Sequence, residues 1–138
     1  MKYKIAYNSD KKYITADIVG DIELEPLKQF ISDTADFLKK HNCQRIIHDL
    51  RSASVNMTII EIDEVPQLAM QFGIDPSLKR ALVISDDFKK YNFFESASRS
   101  KRQNVKIFKN YAEAEKWILS DETSASQEIH ISLSQEDE

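Results

Sequence analysis

Within ten residues, Asp49, Arg51, Ser52, Ser54 and Thr58 bring together an acid, a base and three hydroxyls. They follow the apolar run Arg45-Ile-Ile-His-Asp-Leu50, which reads as a central strand, so Ser52-Ala-Ser-Val-Asn-Met-Thr58 should form a loop outside its carboxyl end. Open α/β sheets usually place their binding sites there. The chemistry such a set supports is contact with an anion or phosphate at a helix N-terminus, with Thr58 as a candidate kinase acceptor. A plainer reading has Asp49 pairing locally and the hydroxyls satisfying turn and helix amides. Neither reading supplies a general base aimed at a substrate, so the chain is read as non-enzymatic.

Other reactive side chains give weaker signals. His41, His48 and His130 are far apart, and none pairs with another at the short helical spacing of a zinc site. His48 is read as a structural residue of its strand. Cys43, the only cysteine, precedes that strand and is read as a small buried residue; no intrachain disulfide is available, and a cytoplasmic setting is expected. Only Gly20 and Gly73 occur, which excludes a glycine-rich phosphate cradle and the nucleotide chemistry that depends on one. No cofactor is expected.

The elements that must position these residues follow from periodicity. Tyr3, Ile5 and Tyr7 alternate with polar or small residues, and a second alternating run spans Tyr13 to Val19, so a hairpin ending at Gly20-Asp21 is expected. Leu27, Phe30, Ile31, Thr34, Ala35, Phe37 and Leu38 share one helical face, with Pro26 in the first turn. A second helix closes at Gly73, starting either near Glu64 or, interrupted by Pro66, near Thr58. Arg80-Ala-Leu-Val-Ile-Ser85 and Val105–Phe108 read as strands. Between them a helix from about Asp87 to Ser100, capped by Ser85 or Asp86, should bury Phe88, Tyr91 and Phe94. Asn110 and Glu113 have capping-box spacing before a last helix carrying Tyr111, Ala114, Trp117 and Ile118. The expected fold is α/β, a mixed, mostly parallel five-stranded sheet in the order ββαβαβαβα.

On the second helix Ile60, Leu68 and Met70 point in directions that one sheet cannot bury together. They are read as a dimer or partner surface, or as the wall of an apolar ligand pocket.

Charge and length bound the partners. The 138 residues suit one domain, read as residues 1–120, followed by an acidic tail at 121–138. Six of the 23 acids and none of the 19 bases lie in that tail, so the body carries 17 acids against 19 bases and no polyanionic partner is demanded. The tail is expected to be flexible, or to add a short edge strand through Ile129, Ile131 and Leu133. Lys89, Lys90, Arg99, Lys101, Arg102, Lys106 and Lys109 give the third helix and the following strand a basic cast, read as a solvated face and not a nucleic-acid surface. No apolar run reaches the length of a membrane span, so no stable membrane insertion is expected.

Several short motifs, taken in order, resemble the STAS superfamily and, within it, the SpoIIAA-like proteins often grouped with STAS and CRAL-TRIO domains. They are Asp49-Leu50, Lys79-Arg-Ala-Leu-Val-Ile-Ser85, Phe93-Phe94-Glu95, and Val105–Phe108 leading to Ala114-Glu-Lys-Trp117-Ile118-Leu119, together covering about residues 3–120. The resemblance implies a regulatory module that works through a protein partner or as a homodimer, or alternatively one that binds a lipid or other apolar small molecule. In anti-sigma-factor antagonists of the superfamily an Asp-Ser-Ser-Gly segment carries a phosphorylated serine. This chain has Met57-Thr58-Ile59-Ile60 there: Thr58 keeps a hydroxyl, but the acid, the second hydroxyl and the glycine are absent. The resemblance therefore supports the fold more than the phosphoswitch.

Overall fold

The structure is a computed structural model that describes residues 1–120. The tail and its expected edge strand at 129–133 lie outside the described residues. β1 (Lys2–Asn8) and β2 (Tyr13–Ile22) form the expected antiparallel hairpin, in register from Lys2 opposite Val19 to Asn8 opposite Tyr13. Its turn is closed by Asn8, whose carbonyl accepts from Lys12 N at 2.7 Å and whose side chain accepts from Lys11 N at 3.0 Å. β2 does not stop at Gly20. With φ at +94°, a conformation that glycine adopts without a Cβ penalty, Gly20 lets the strand run on to Ile22.

α1 (Leu24–Lys40) follows, burying Leu27, Phe30, Ile31, Thr34, Ala35 and Leu38. Next come β3 (Arg45–Asp49), β4 (Ser52–Val55), α2 (Ile59–Gln71), β5 (Lys79–Val83), α3 (Phe88–Ser100), β6 (Asn104–Phe108) and α4 (Tyr111–Leu119). The sheet has six strands in the order β1-β2-β3-β5-β6, with β4 on β2, and every pairing after the hairpin is parallel. The expected count of five is therefore corrected by β4, which occupies the place assigned to a loop. Its cause is the length of β2. β3 pairs with β2 only at Ile14 and Thr15, which leaves Val19–Ile22 with unmatched backbone groups. After a bend at Leu50-Arg51, Ser52–Val55 fills that edge, burying Ala53 and Val55 and exposing Ser52 and Ser54.

The two faces are covered unequally. Ile14, Ala16, Ile18, Ile46, Leu82 and Val105 pack with residues of α1, α2 and α3, whereas Tyr13, Ile47, Ala81 and Val83 pack with α4 through Ala114, Trp117 and Ile118. The Lys79 ammonium donates to Trp117 O and Ser120 Oγ, both at 3.0 Å, and so caps the C-terminal end of α4 from the sheet.

α2 takes the earlier of the two starts. Thr58 is its N-cap, accepting from Glu61 N at 3.1 Å while Glu61 Oε1 accepts from Thr58 N at 2.9 Å, so two otherwise orphaned amides are satisfied reciprocally. At the other end Gly73, at φ +92°, permits the paired bonds Gly73 N to Met70 O and Ile74 N to Ala69 O, both 3.0 Å. These form a Schellman stop with the buried Ile74 folded back over the helix. α3 departs from expectation at its start. Neither Ser85 nor Asp86 caps it; Asp87 is the N-cap at φ 58°, and its carboxylate accepts from Val55 N at 2.8 Å. Phe88, expected in the core, is 50% exposed; it is the first residue of α3, directly after the left-handed Asp87, and the Lys109 ammonium lies 5.3 Å from its ring centroid.

Candidate functional site

The constellation read from the sequence is close in the chain but divided in space. Arg51 binds Asp49 with both arms of its fork, Nε to Oδ1 at 2.9 Å and Nη2 to Oδ2 at 2.8 Å, and its own backbone N donates to Asp49 Oδ1 at 3.2 Å. That guanidinium holds the Asp49 carboxyl below its ordinary range. Asp17, on the neighbouring strand, accepts from Asp49 N at 3.1 Å and is moved the other way, chiefly by burial. Ser54 Oγ donates to Asp21 at 2.7 Å, Ser52 is exposed, and Thr58 is committed to its capping box. The local roles thus account for Asp49, Arg51, Ser54 and Thr58. The geometry adds Asp17 and Tyr111, over whose ring the Arg51 guanidinium lies at 5.8 Å. Among the described residues no three His, Cys, Asp or Glu side chains converge as metal ligands would. Cys43 is half-buried, its thiol donating to Arg45 O at 3.3 Å.

The more distinctive site is interior. Between the sheet and helices α1, α2 and α3 lies a cavity of about 90 Å³, open on one side, with walls that are almost wholly aliphatic or aromatic. α2 contributes Ile62, Val65 and Ala69, and the sheet contributes Ile18, Ile46 and Leu82. Polar groups reach it at few points, among them Thr34, His48, Arg80 and Tyr91. His48 Nδ1 lies 3.1 Å from Ala16 O; because a carbonyl only accepts, Nδ1 carries the proton and Nε2 is the ring's acceptor. Burial, then the nearby Arg80 charge, lowers the imidazole to about 3, so His48 is neutral as its structural reading requires. Burial also brings the Arg80 guanidinium down to about 10, which leaves it cationic at neutral pH. Sequence reasoning missed Arg80 as a site residue. The available signal was phase: in Lys79-Arg-Ala-Leu-Val83 a period of two puts Arg80 on the same face as Leu82.

No family model and no curated protein sequence matches this chain. Solved structures do. An anti-sigma factor antagonist from Mycobacterium paratuberculosis superposes with a TM-score of 0.60 at 8% identity, over 86% of this chain and 94% of its own. An uncharacterised protein with a SpoIIAA-like fold from Shewanella loihica PV-4 superposes with a TM-score of 0.58 at 14% identity, over 85% and 92%. The chain has a SpoIIAA-like fold.

On this SpoIIAA-like frame α2 has two working faces. Ile62, Val65, Pro66 and Ala69 are buried, while Ile59 is 50%, Ile60 75% and Met70 39% exposed. Leu68 belongs to neither extreme: it is half-buried and packs on the core. Of the three residues singled out on this helix, Ile60 and Met70 are therefore surface groups and Leu68 a supporting one. No helix among the described residues of the SpoIIAA-like domain is long and apolar enough to cross a membrane.

Proposed function

We propose that this chain is a non-enzymatic, cytoplasmic regulatory module that acts by protein contact, with the outer face of α2 as the contact surface. The observation that carries the proposal is that large apolar side chains are left in water at both ends of α2, Ile59 and Ile60 in its first turn and Met70 in its last, with Phe72 just beyond it. Covering such groups gains roughly 25 cal/mol per Å², and four of them on and beside one helix fit a partner better than solvent. The likeness to an anti-sigma factor antagonist supports the same reading. Thr58 and Asn56 are exposed at the head of this helix and supply polar groups beside the apolar ones, which suits a core-and-rim interface. The test is a photo-crosslinking residue placed at Ile60 in the full chain inside its native host, with Glu113, on the exposed side of α4, as control. A discrete protein adduct from position 60 that Met70→Asp abolishes is expected. Equal labelling from both positions, or none from position 60, would refute the proposal.

A second reading, favoured by the apolar cavity, is that the module holds a small apolar molecule between the sheet and α2. Native mass spectrometry of the full chain purified from its own host checks it: a bound small molecule supports the reading, and a uniformly bare chain counts against it.

A further inference from the structure

Arg80 is 7% exposed and sits on the cavity side of β5, among residues that are otherwise apolar. Taking a guanidinium out of water costs several kcal/mol, which proteins normally offset with a carboxylate. None of the ion pairs among the described residues includes Arg80. Its hydrogen bond is a long one, Nη1 to Gln103 Oε1 at 3.4 Å, and the Phe94 ring lies 5.9 Å from Cζ. Gln103 is itself fixed by donating to Pro66 O at 2.7 Å, so Arg80 is steadied on one side and its remaining donors have no acceptor among the described residues. Two further polar groups on the cavity lining, Thr34 Oγ1 and Tyr91 OH, are buried with no hydrogen-bond partner. Native structures leave few such groups unmatched, and these two, beside a buried guanidinium held by a single long hydrogen bond, point to a missing polar occupant.

On the ligand-binding reading just given, we infer that the cavity takes a small aliphatic carboxylic acid, its carboxylate on the Arg80 guanidinium and its chain among Ile18, Ile46, Val65 and Leu82. Charge selects a monoanion. Lys90, the other cation on the lining, is only half-buried and is held by Val55 O at 2.9 Å, so the one positive charge of the lining shut away from water is that of Arg80. Shape selects a carboxylate, whose two oxygens match the fork. Size limits the enclosed part to a head group and a few carbons, since the cavity of about 90 Å³ is smaller than the roughly 150 Å³ apolar cavity that takes up a benzene. A longer chain leaves through the open side.

Calorimetric titration of the full chain with octanoate, methyl octanoate, octanol and octylamine tests the inference. Octanoate should bind at least tenfold more tightly than its ester or octanol, and octylamine should not bind. In Arg80→Met the octanoate preference should vanish while octanol binding persists; that variant should fold, because apolar replacement of a buried charge is often neutral or stabilising. The wild-type comparison of acid with ester decides the matter even if the variant fails to fold. Equal binding of octanoate, ester and octanol would leave the apolar pocket standing and remove the role of Arg80. No binding of any of them would remove both. Octanoate binding that appears only after the tail acids Asp121, Glu122, Glu128, Glu136, Asp137 and Glu138 are changed to amides would show that the chain's own carboxylates fill the site, and would overturn the small-molecule assignment.

Discussion

Lowering the pH from 7 to 5 tests how completely the cavity keeps water from His48. In the folded chain this imidazole is held near 3, first by burial and then by the Arg80 charge, whereas in the unfolded chain it titrates near the ordinary 6.5. Between those values the unfolded state binds a proton that the folded state refuses. Stability is therefore complete above pH 6.5 and drains as the pH falls, by about 1.4 kcal/mol per unit, until about pH 3. From pH 7 to pH 5 the loss from this one group is about 2 kcal/mol, a substantial share of the ~5–15 kcal/mol that holds a typical domain together. The assay is urea unfolding at pH 7, 6 and 5 for the wild type and His48→Asn, whose amide nitrogen takes the place of Nδ1 opposite Ala16 O. Carboxylates and other histidines titrate in both proteins, so the difference between the two curves isolates His48. The wild type should lose about 2 kcal/mol more than the variant over this range. Parallel curves would refute the reasoning: they would mean that water entering by the open side solvates the imidazolium, and that the cavity is wet at His48.

Thr58→Ala should cost about 1 kcal/mol in urea unfolding, because it strands the Glu61 amide, and Thr58→Ser should restore most of the loss. Arg51→Gln should change stability by less than about 1 kcal/mol, since the Arg51–Asp49 pair is half-exposed with side chains 47% and 27% accessible. In the same variant, carboxyl NMR titration should show Asp49 moving up toward its ordinary range, and in the wild type Asp17 should titrate above Asp49.

Most of the fold was legible because its signals are local. The alternation of Tyr3, Ile5 and Tyr7, the helical stripe from Leu27 to Leu38, and Asn110 opening α4 by accepting from Glu113 N at 3.0 Å depend on residues that are neighbours in the chain. β4 was not legible, because four residues reading Ser-Ala-Ser-Val become a strand only when the unpaired end of β2 lies beside them. Phe88 was misplaced for a related reason. Helical phase assigns it a direction, but the helix starts only at Phe88, so the phase is not yet backed by a preceding turn and the ring stays half in water. The site was half legible. Asp49 and Arg51 were found, yet their mutual ion pair, which accounts for them, is a matter of side-chain geometry. Arg80 was read only as the first residue of a strand; its burial depends on helices α2 and α3, which come from separate stretches of the chain.

Val55 shows how the sheet defends its margin. Both of its main-chain groups that face away from β2 are taken by side chains of the α3 start: Asp87 receives the N–H and Lys90 donates to the carbonyl. A foreign strand docking along β4 would have to displace two charged groups from their bonds. The outer strands are protected differently, with exposed Lys2 and Lys4 on β1 and the half-buried Lys106 on β6, charges that oppose edge-to-edge stacking. Recruitment by β-augmentation is thus disfavoured along β4, β1 and β6 alike. Any interface of this domain is pushed toward side-chain packing on its helices, a mode that is readily reversible and carries little risk of templated aggregation.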